Sequence, residues 1–430
     1  MNDWWSRAQL RFGIGIEDTF VPQSGPGARA IDEYELTGHY ERWHEDIGLA
    51  HGVGAEFLRW GVPWHRVNPE PSMWDFDWTD RVLNRMSELG IRPVLDLLHY
   101  GTPLWLDGEF ANRDFPERFA EFAGRVAERY GDFVTDYTPV NEPMIHAQFS
   151  GEYAYWPPYL SGQGGLNRIV VALAEASQLA QSGIRAAVGE AANIVHVDAG
   201  FRYVGDVSAP EHAEHVERLL VERFLFEDLM HGLVVDGHPL HGALLVSGID
   251  QRRLERIANR PAPPDLMGVN YYPRHSTEVF EAGSSHRGGF ADPRPTRDDG
   301  ALGLREVLTT YAERYGHPVL LSETCVTGTE DERISWMQEC LDELEHLRAG
   351  GVPVVGFTWW PLFDMIEWTW RHTNAAPLAH RLSMGLYDLV QTEGGLSRRE
   401  NTVAEAFRSR TTQPAEGDVL PTGAESGAMP

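Results

Sequence analysis

The run Phe133-Val-Thr-Asp-Tyr-Thr-Pro-Val-Asn-Glu-Pro143 is largely apolar and β-branched, turns polar at Asn141 and Glu142, and is stopped by Pro143. A short run of this kind reads as a strand buried on both faces, as in a parallel sheet. Proline cannot continue the ladder, so Pro143 fixes where the chain leaves the strand and which way Glu142 points. Working outward, similar runs recur along the chain, at Leu10–Ile16, Glu56–Trp60, Pro93–Leu98, Val134–Asn141, Asn193–Val197, Leu266–Tyr271, Pro318–Ser322 and Val354–Trp359. Helical periodicity fills the gaps, most clearly over Arg81–Leu89, Pro116–Tyr130, Arg168–Arg185, Ala213–Met230, Leu304–Tyr315 and Glu332–Arg348. Eight strand-helix units are the number that closes a barrel. The reading is therefore an α/β fold, a single (β/α)8 TIM barrel with extended βα loops over residues 1–410.

In such a barrel the reactive side chains sit at the carboxyl ends of the strands. These ends are polar and aromatic here: Arg59-Trp60, His99-Tyr100, Asn141-Glu142, Asn270-Tyr271-Tyr272, Glu323 and Trp359-Trp360. Glu323 ends Pro318-Val-Leu-Leu-Ser-Glu323 much as Glu142 ends its own run, so the topology can set the two carboxyls across one pocket. Two carboxyls about 5 Å apart are what retaining glycoside hydrolysis needs, one protonated to help the leaving oxygen and one ionised to attack the anomeric carbon.

Composition narrows the partners. A formal net charge of −28 excludes nucleic acid and anionic membrane surfaces, which require clustered Lys and Arg. The 14 Trp, 14 Tyr and 18 Phe supply rings for a large core and for stacking on flat sugar faces. With 2 cysteines, Cys325 and Cys340, and no basic-then-apolar start, the chain reads as cytoplasmic and reduced. No run is long and apolar enough to span a membrane. The histidines, including His39, His44, His51 and Glu211-His-Ala-Glu-His215, do not form the His-Glu-x-x-His pattern, so neither a metal nor another cofactor is expected. The aperiodic segment 281–299 is expected to overhang the active face, and 411–430 is expected to be a disordered tail.

The chain resembles the family-1 glycoside hydrolases, the β-glucosidase-like retaining enzymes, from Phe12-Gly13 to about Asp388. The resemblance lies in Phe57-Leu-Arg-Trp-Gly-Val-Pro-Trp-His-Arg66, Gly90-Ile-Arg-Pro-Val-Leu-Asp-Leu-Leu-His99, Thr102-Pro-Leu-Trp-Leu106 and Val140-Asn-Glu-Pro143. It continues through Asp265-Leu-Met-Gly-Val-Asn-Tyr-Tyr272, Pro318-Val-Leu-Leu-Ser-Glu323, Gly356-Phe-Thr-Trp-Trp-Pro-Leu-Phe-Asp364, Ile366-Glu-Trp368 and Met384-Gly-Leu386. It implies Glu142 as acid/base and Glu323 as nucleophile, with Arg59 and Tyr272 on the nucleophile and Asn270 supporting the acid. It further implies that His99, Asn141, Glu367 and Trp368 bind hydroxyls of the non-reducing sugar, and that Trp360 is the stacking floor.

The chain also departs from that pattern. Phe20 stands where the family commonly has Gln after the first strand, with Glu17, Asp18 and Gln23 nearby. The nucleophile is followed by Thr324-Cys325 instead of Asn-Gly, and residues 369–383 form an insertion carrying Arg371 and His372. No basic Ser/Lys/Tyr cluster for a phosphorylated sugar accompanies it, although Arg371, His372 and Arg381 leave that option open. The expected activity is an exo-acting retaining β-glycosidase on β-glucosides, β-galactosides or β-fucosides, the partner being a small glycoside or oligosaccharide and a homo-oligomer being possible. A transglycosidase using an acceptor alcohol and a non-catalytic sugar-binding barrel are the alternatives.

Overall fold

The computed structural model describes residues 4–6, 9–23, 27–205, 210–280 and 295–412. Positions 281–294 of the expected overhanging loop, and the expected tail beyond Thr412, lie outside the described residues. The barrel strands are β1 (Arg11–Ile16), β2 (Phe57–Gly61), β3 (Arg92–Asp96), β4 (Asp136–Thr138), β5 (Asn193–Ala199), β6 (Leu266–Asn270), β7 (Val319–Thr324) and β8 (Val354–Trp359). Each pairs in parallel with its sequence neighbours, and β8 returns to β1 through Phe12↔Phe357 and Gly13↔Thr358. The closed sheet has no edge, and helices cover it outside, which is why its strands read as unbroken apolar runs.

The amino-terminal mouth is plugged. Trp4 and Trp5 pack with Phe57, Val94, Val195 and Leu320, and Trp4 Nε1 donates to Asp136 Oδ1 at 2.7 Å. Gly13 is required there, because a Cβ would fall 2.2 Å from the Phe57 ring. That end is filled with hydrophobic packing, which leaves the carboxyl ends of the strands for chemistry.

Outside the barrel, the helix Glu330–Ala349 starts at a capping box: Glu332 N donates to Thr329 Oγ1 and Thr329 N to Glu332 Oε2. Such a cap contributes about 1 kcal/mol and orients the helix that follows β7. Three boundaries differ from the sequence reading. The fourth strand is only Asp136–Thr138, because Pro139 has no N–H to extend the ladder; pairing resumes as a single bridge between Asn141 and Val197. The segment expected as one helix over Ala213–Met230 is two, Pro210–Glu222 and Leu225–Met230. At the break the Phe224 ring is buried against Tyr311 and Tyr315, and Arg223 donates to the Phe201 carbonyl. No glycine or proline announces that break; tertiary packing imposes it. Thr411, expected to open the tail, closes the helix Thr402–Thr411 and donates to Val53 O at 2.9 Å.

Among the described residues no helix is long and apolar enough to cross a membrane. Cys325 and Cys340 are buried free thiols.

Candidate active site

Glu142 is fixed by its backbone first. Asn141 N donates to Leu98 O at 3.1 Å and Glu142 N to Val197 O at 2.8 Å, clamping the turn between the ends of β3 and β5. Glu142 has φ 43°, a left-handed conformation, before the short helix Pro143–His146 that Pro143 opens. For a non-glycine residue this is strained by about 1–3 kcal/mol. Both carboxyl oxygens are then held: Asn270 Nδ2 donates to Oε1 at 2.9 Å, and the Tyr100 hydroxyl donates to Oε2.

Glu323 sits at a register shift in both pairings of β7, with β6 and with β8. Bulges of this kind re-aim side chains. Its Oε1 accepts from Arg59 Nη1 at 2.6 Å and its Oε2 from the Tyr272 hydroxyl at 2.6 Å. Arg59, on β2, is fully buried and joins the two strand ends, since its Nη1 also donates to Ser322 O and its Nη2 to Asn141 Oδ1, both at 3.0 Å. The same guanidinium faces Glu17 at 3.4 Å and Asp96 at 3.6 Å, so three carboxyl groups share one cation.

The electrostatics of the two glutamates differ accordingly. Burial first, and then the charge of Glu323, push the Glu142 carboxyl up to about 7; the bonds from Tyr100 and Asn270 oppose that rise. Glu323 instead has a charge-assisted bond to a guanidinium. Burial opposes the Arg59 charge, but Glu17, Glu323 and Asp96 outweigh it and raise Arg59 further. His99 is opposed by burial and raised by its 2.9 Å bond from Nδ1 to Asp96. One buried carboxyl able to hold a proton near neutral pH and another bonded to arginine form a chemical acid/base pair.

A cavity of about 590 Å³ opens over these groups. The family model described as glycosyl hydrolase family 1 matches residues 13–380. The chain belongs to glycosyl hydrolase family 1.

Its relatives include Beta-glucosidase A of Thermotoga maritima, 24% identical over 83% of this chain and 84% of that protein. Another is Thermostable beta-glucosidase B of Thermobispora bispora, 27% identical over 84% and 80% respectively. The fold superposes on the family 1 β-glucosidase from Thermotoga maritima with a TM-score of 0.75 at 20% identity, covering 93% of this chain and 96% of that one. This family 1 protein is thus an O-glycosyl hydrolase built on the (β/α)8 barrel.

The family 1 pocket wall contains Glu142 and Glu323 together with His99, Asn270, Tyr272, Trp360, Glu367 and Trp368. Arg59 and Asn141 stand behind that wall: Asn141 Oδ1 accepts from Arg59, and its Nδ2 lies 3.4 Å from the Tyr100 hydroxyl. The Trp360 indole N–H is already used, donating to Glu17 Oε2 at 2.7 Å, which leaves the ring face for contact. Glu367 Oε2 lies 3.4 Å from His380 Nδ1, inside the insertion. Phe20 does not line the cavity. Its amide donates to His99 O at 3.2 Å and its ring stacks on His65, so it braces the site from outside.

Cys325 borders the cavity as a buried thiol pushed up by burial. The insertion folds into two short 3-10 turns, Trp368–His372 and Pro377–His380, and Arg371 turns inward toward Gln23 O at 3.0 Å. Sequence reasoning assigned no role to Tyr100, Glu17 or Asp96. Tyr100 was visible as a strand-end aromatic next to His99, whereas the convergence of Glu17 and Asp96 on Arg59 had no sequence signal.

Proposed function

We propose that this glycosidase is an exo-acting, retaining β-glycosidase that works through a covalent glycosyl-enzyme intermediate. The observation that carries the reading is the contrast between the two buried carboxyls: Arg59 and Tyr272 grip Glu323, while Glu142 is held by Tyr100 and Asn270 and, among the described residues, has no ion pair with a Lys or Arg. Protonated Glu142 donates to the glycosidic oxygen as Glu323 attacks the anomeric carbon and the leaving group departs with the proton. The resulting ester removes the negative charge of Glu323, which is one of the two main causes of the raised Glu142 pKa. Glu142, left as the carboxylate when the leaving group departs, stays ionised and takes a proton from the water that attacks the ester and releases the sugar.

His99, Glu367 and Trp368 bind the glycone hydroxyls and the Trp360 face stacks on the ring, with Asn270 steering the acid. Asn141 supports the glycone side by holding Arg59 and standing beside Tyr100, a less direct part than the sugar contact the resemblance implied. Relatives named Beta-galactosidase of Saccharolobus solfataricus and Bifunctional beta-D-glucosidase/beta-D-fucosidase of Bifidobacterium breve support β-glucosides, β-galactosides and β-fucosides as the glycone range. The test is to follow cleavage of nitrophenyl β-glycosides by proton NMR from the first turnover. Initial release of the β-anomer supports the proposal; initial release of the α-anomer overturns it.

A further inference from the structure

Beside the catalytic pocket, on the loops after β1 and β2, four side chains from four segments converge. Asp18 follows β1, Asp32 ends the short strand Ile31–Asp32, Tyr40 lies on the helix His39–Gly52 and His65 on the turn Trp64–Val67. Each carboxylate gives one oxygen to the backbone: Asp18 Oδ1 accepts from Tyr34 N at 3.2 Å and Asp32 Oδ1 from Glu35 N at 2.9 Å. Those bonds turn both Oδ2 atoms inward, in the way outer contacts orient metal ligands. His65 is fixed by stacking on Phe20, with ring centroids 3.7 Å apart.

The inward atoms are Asp18 Oδ2, Asp32 Oδ2 and His65 Nε2, and a ligand atom from each of these residues lies within 4.8 Å of the others. The Tyr40 hydroxyl is 3.3 Å from Asp18 Oδ2, 3.4 Å from Asp32 Oδ2 and 3.3 Å from His65 Nε2. Asp32 Oδ2 and His65 Nε2 are themselves 3.3 Å apart. These separations are long for hydrogen bonds from a hydroxyl, which fall at about 2.5–3.0 Å, and one hydroxyl proton does not serve both Asp18 and Asp32 well. They do match the edge of a tetrahedron around a metal with bonds of about 2.0–2.1 Å, which is about 3.3–3.4 Å.

Charge balance points the same way. Among the described residues no Lys or Arg pairs with Asp18 or Asp32; the Arg66 guanidinium lies over the Tyr40 ring and bonds Glu35. We infer that Asp18, Asp32 and His65, with Tyr40 in the fourth position, bind a divalent transition cation of the zinc class. Nitrogen and oxygen donors in this ratio suit Zn²⁺ or Mn²⁺. The ion ties the first-strand loop to the second-strand loop, and through the Phe20 amide on His99 O it steadies the sugar side of the pocket. A spacing rule for histidine pairs on one helix predicts no metal here because these ligands come from separate segments.

The test uses the full chain, stripped with chelator, desalted, loaded with Zn²⁺ and counted by ICP-MS. About one zinc per chain is expected, with a higher Tm than the stripped protein, and Co²⁺ loading is expected to give the intense visible bands of a tetrahedral site. His65→Ala and Asp32→Asn each lose the bound metal while far-UV circular dichroism stays native; asparagine keeps the acceptor that caps the following helix. His231→Ala, which removes the only partner that His317 Nε2 has at 3.1 Å among the described residues, leaves the stoichiometry unchanged. Failure of the wild type to retain Zn²⁺ or Mn²⁺ overturns the inference. Retention of full stoichiometry by both His65→Ala and Asp32→Asn overturns it equally.

Discussion

The hydroxyl of Tyr100 donates to Oε2 of Glu142, and Tyr100 holds φ 82° in the conformation from which it does so. A bulky residue in that region costs on the order of 1–3 kcal/mol. Two adjacent strand ends therefore each hold a strained residue, and the two side chains meet at the Glu142 carboxyl.

Phenylalanine at position 100 removes the bond that favours ionised Glu142. Its pKa then rises, and the alkaline limb of kcat/KM is expected to move to higher pH by about one unit, the equivalent of about 1.4 kcal/mol. Breakdown of the glycosyl-enzyme slows at the same time, because the base is less firmly aimed. An unchanged alkaline limb in Tyr100→Phe means that the hydroxyl does not govern the acid.

Glu142→Ala is expected to lower kcat/KM by about 100- to 10,000-fold on substrates with poor leaving groups and far less on dinitrophenyl glycosides, which depart without protonation. Glu323→Gly is expected to be inactive on all of them. Azide is expected to rescue Glu142→Ala as the β-glycosyl azide and Glu323→Gly, given an activated substrate, as the α-azide. Finding the opposite anomers exchanges the two roles.

The pH profile follows from the direction of the Glu142 shift. Its carboxyl is raised from 4.5 to about 7, so the protonated form that serves as acid is present below that value and is lost as pH rises through it. Activity on an unactivated glycoside is expected to fall on the alkaline side near pH 7. A flat profile across neutral and mildly alkaline pH excludes Glu142 as general acid.

Stability carries a separate signature at Glu109, whose buried carboxyl is raised from 4.5 to about 8 by burial, against Arg371 and a bond from Gln23. The folded state keeps this proton where the unfolded chain has released it, so the contribution is full below about 4.5 and is lost as pH rises to about 8. Glu109→Gln is expected to gain on the wild type across that window, by up to about 4 kcal/mol at its alkaline end. Urea melts of both proteins at each end of the window check this; a constant difference refutes it.

The barrel and most of the candidate site were legible because both depend on local pattern. Strands buried on both faces must be apolar throughout, so all eight runs stood out, and a polar residue at the end of such a run marks the active face. Asn141-Glu142-Pro143 and Ser322-Glu323 are that pattern with a carboxyl at its last step. The strained φ of Glu142 and the register shift at Glu323 were not legible, because neighbouring strands impose them.

The sequence by itself determined the element order, the closed parallel sheet and the two carboxyls, since periodicity, proline punctuation and the strand-end rule act over a few residues. Only the tertiary structure decided which groups meet those carboxyls. Arg59 lies 2.6 Å from Glu323, Tyr100 reaches Glu142, and Asp18, Asp32, Tyr40 and His65 share one small space. The physical reason is that barrel closure sets the ends of distant strands side by side, and hydrogen bonds, ion pairs and metal coordination depend on a few ångströms of space that separation along the chain does not encode.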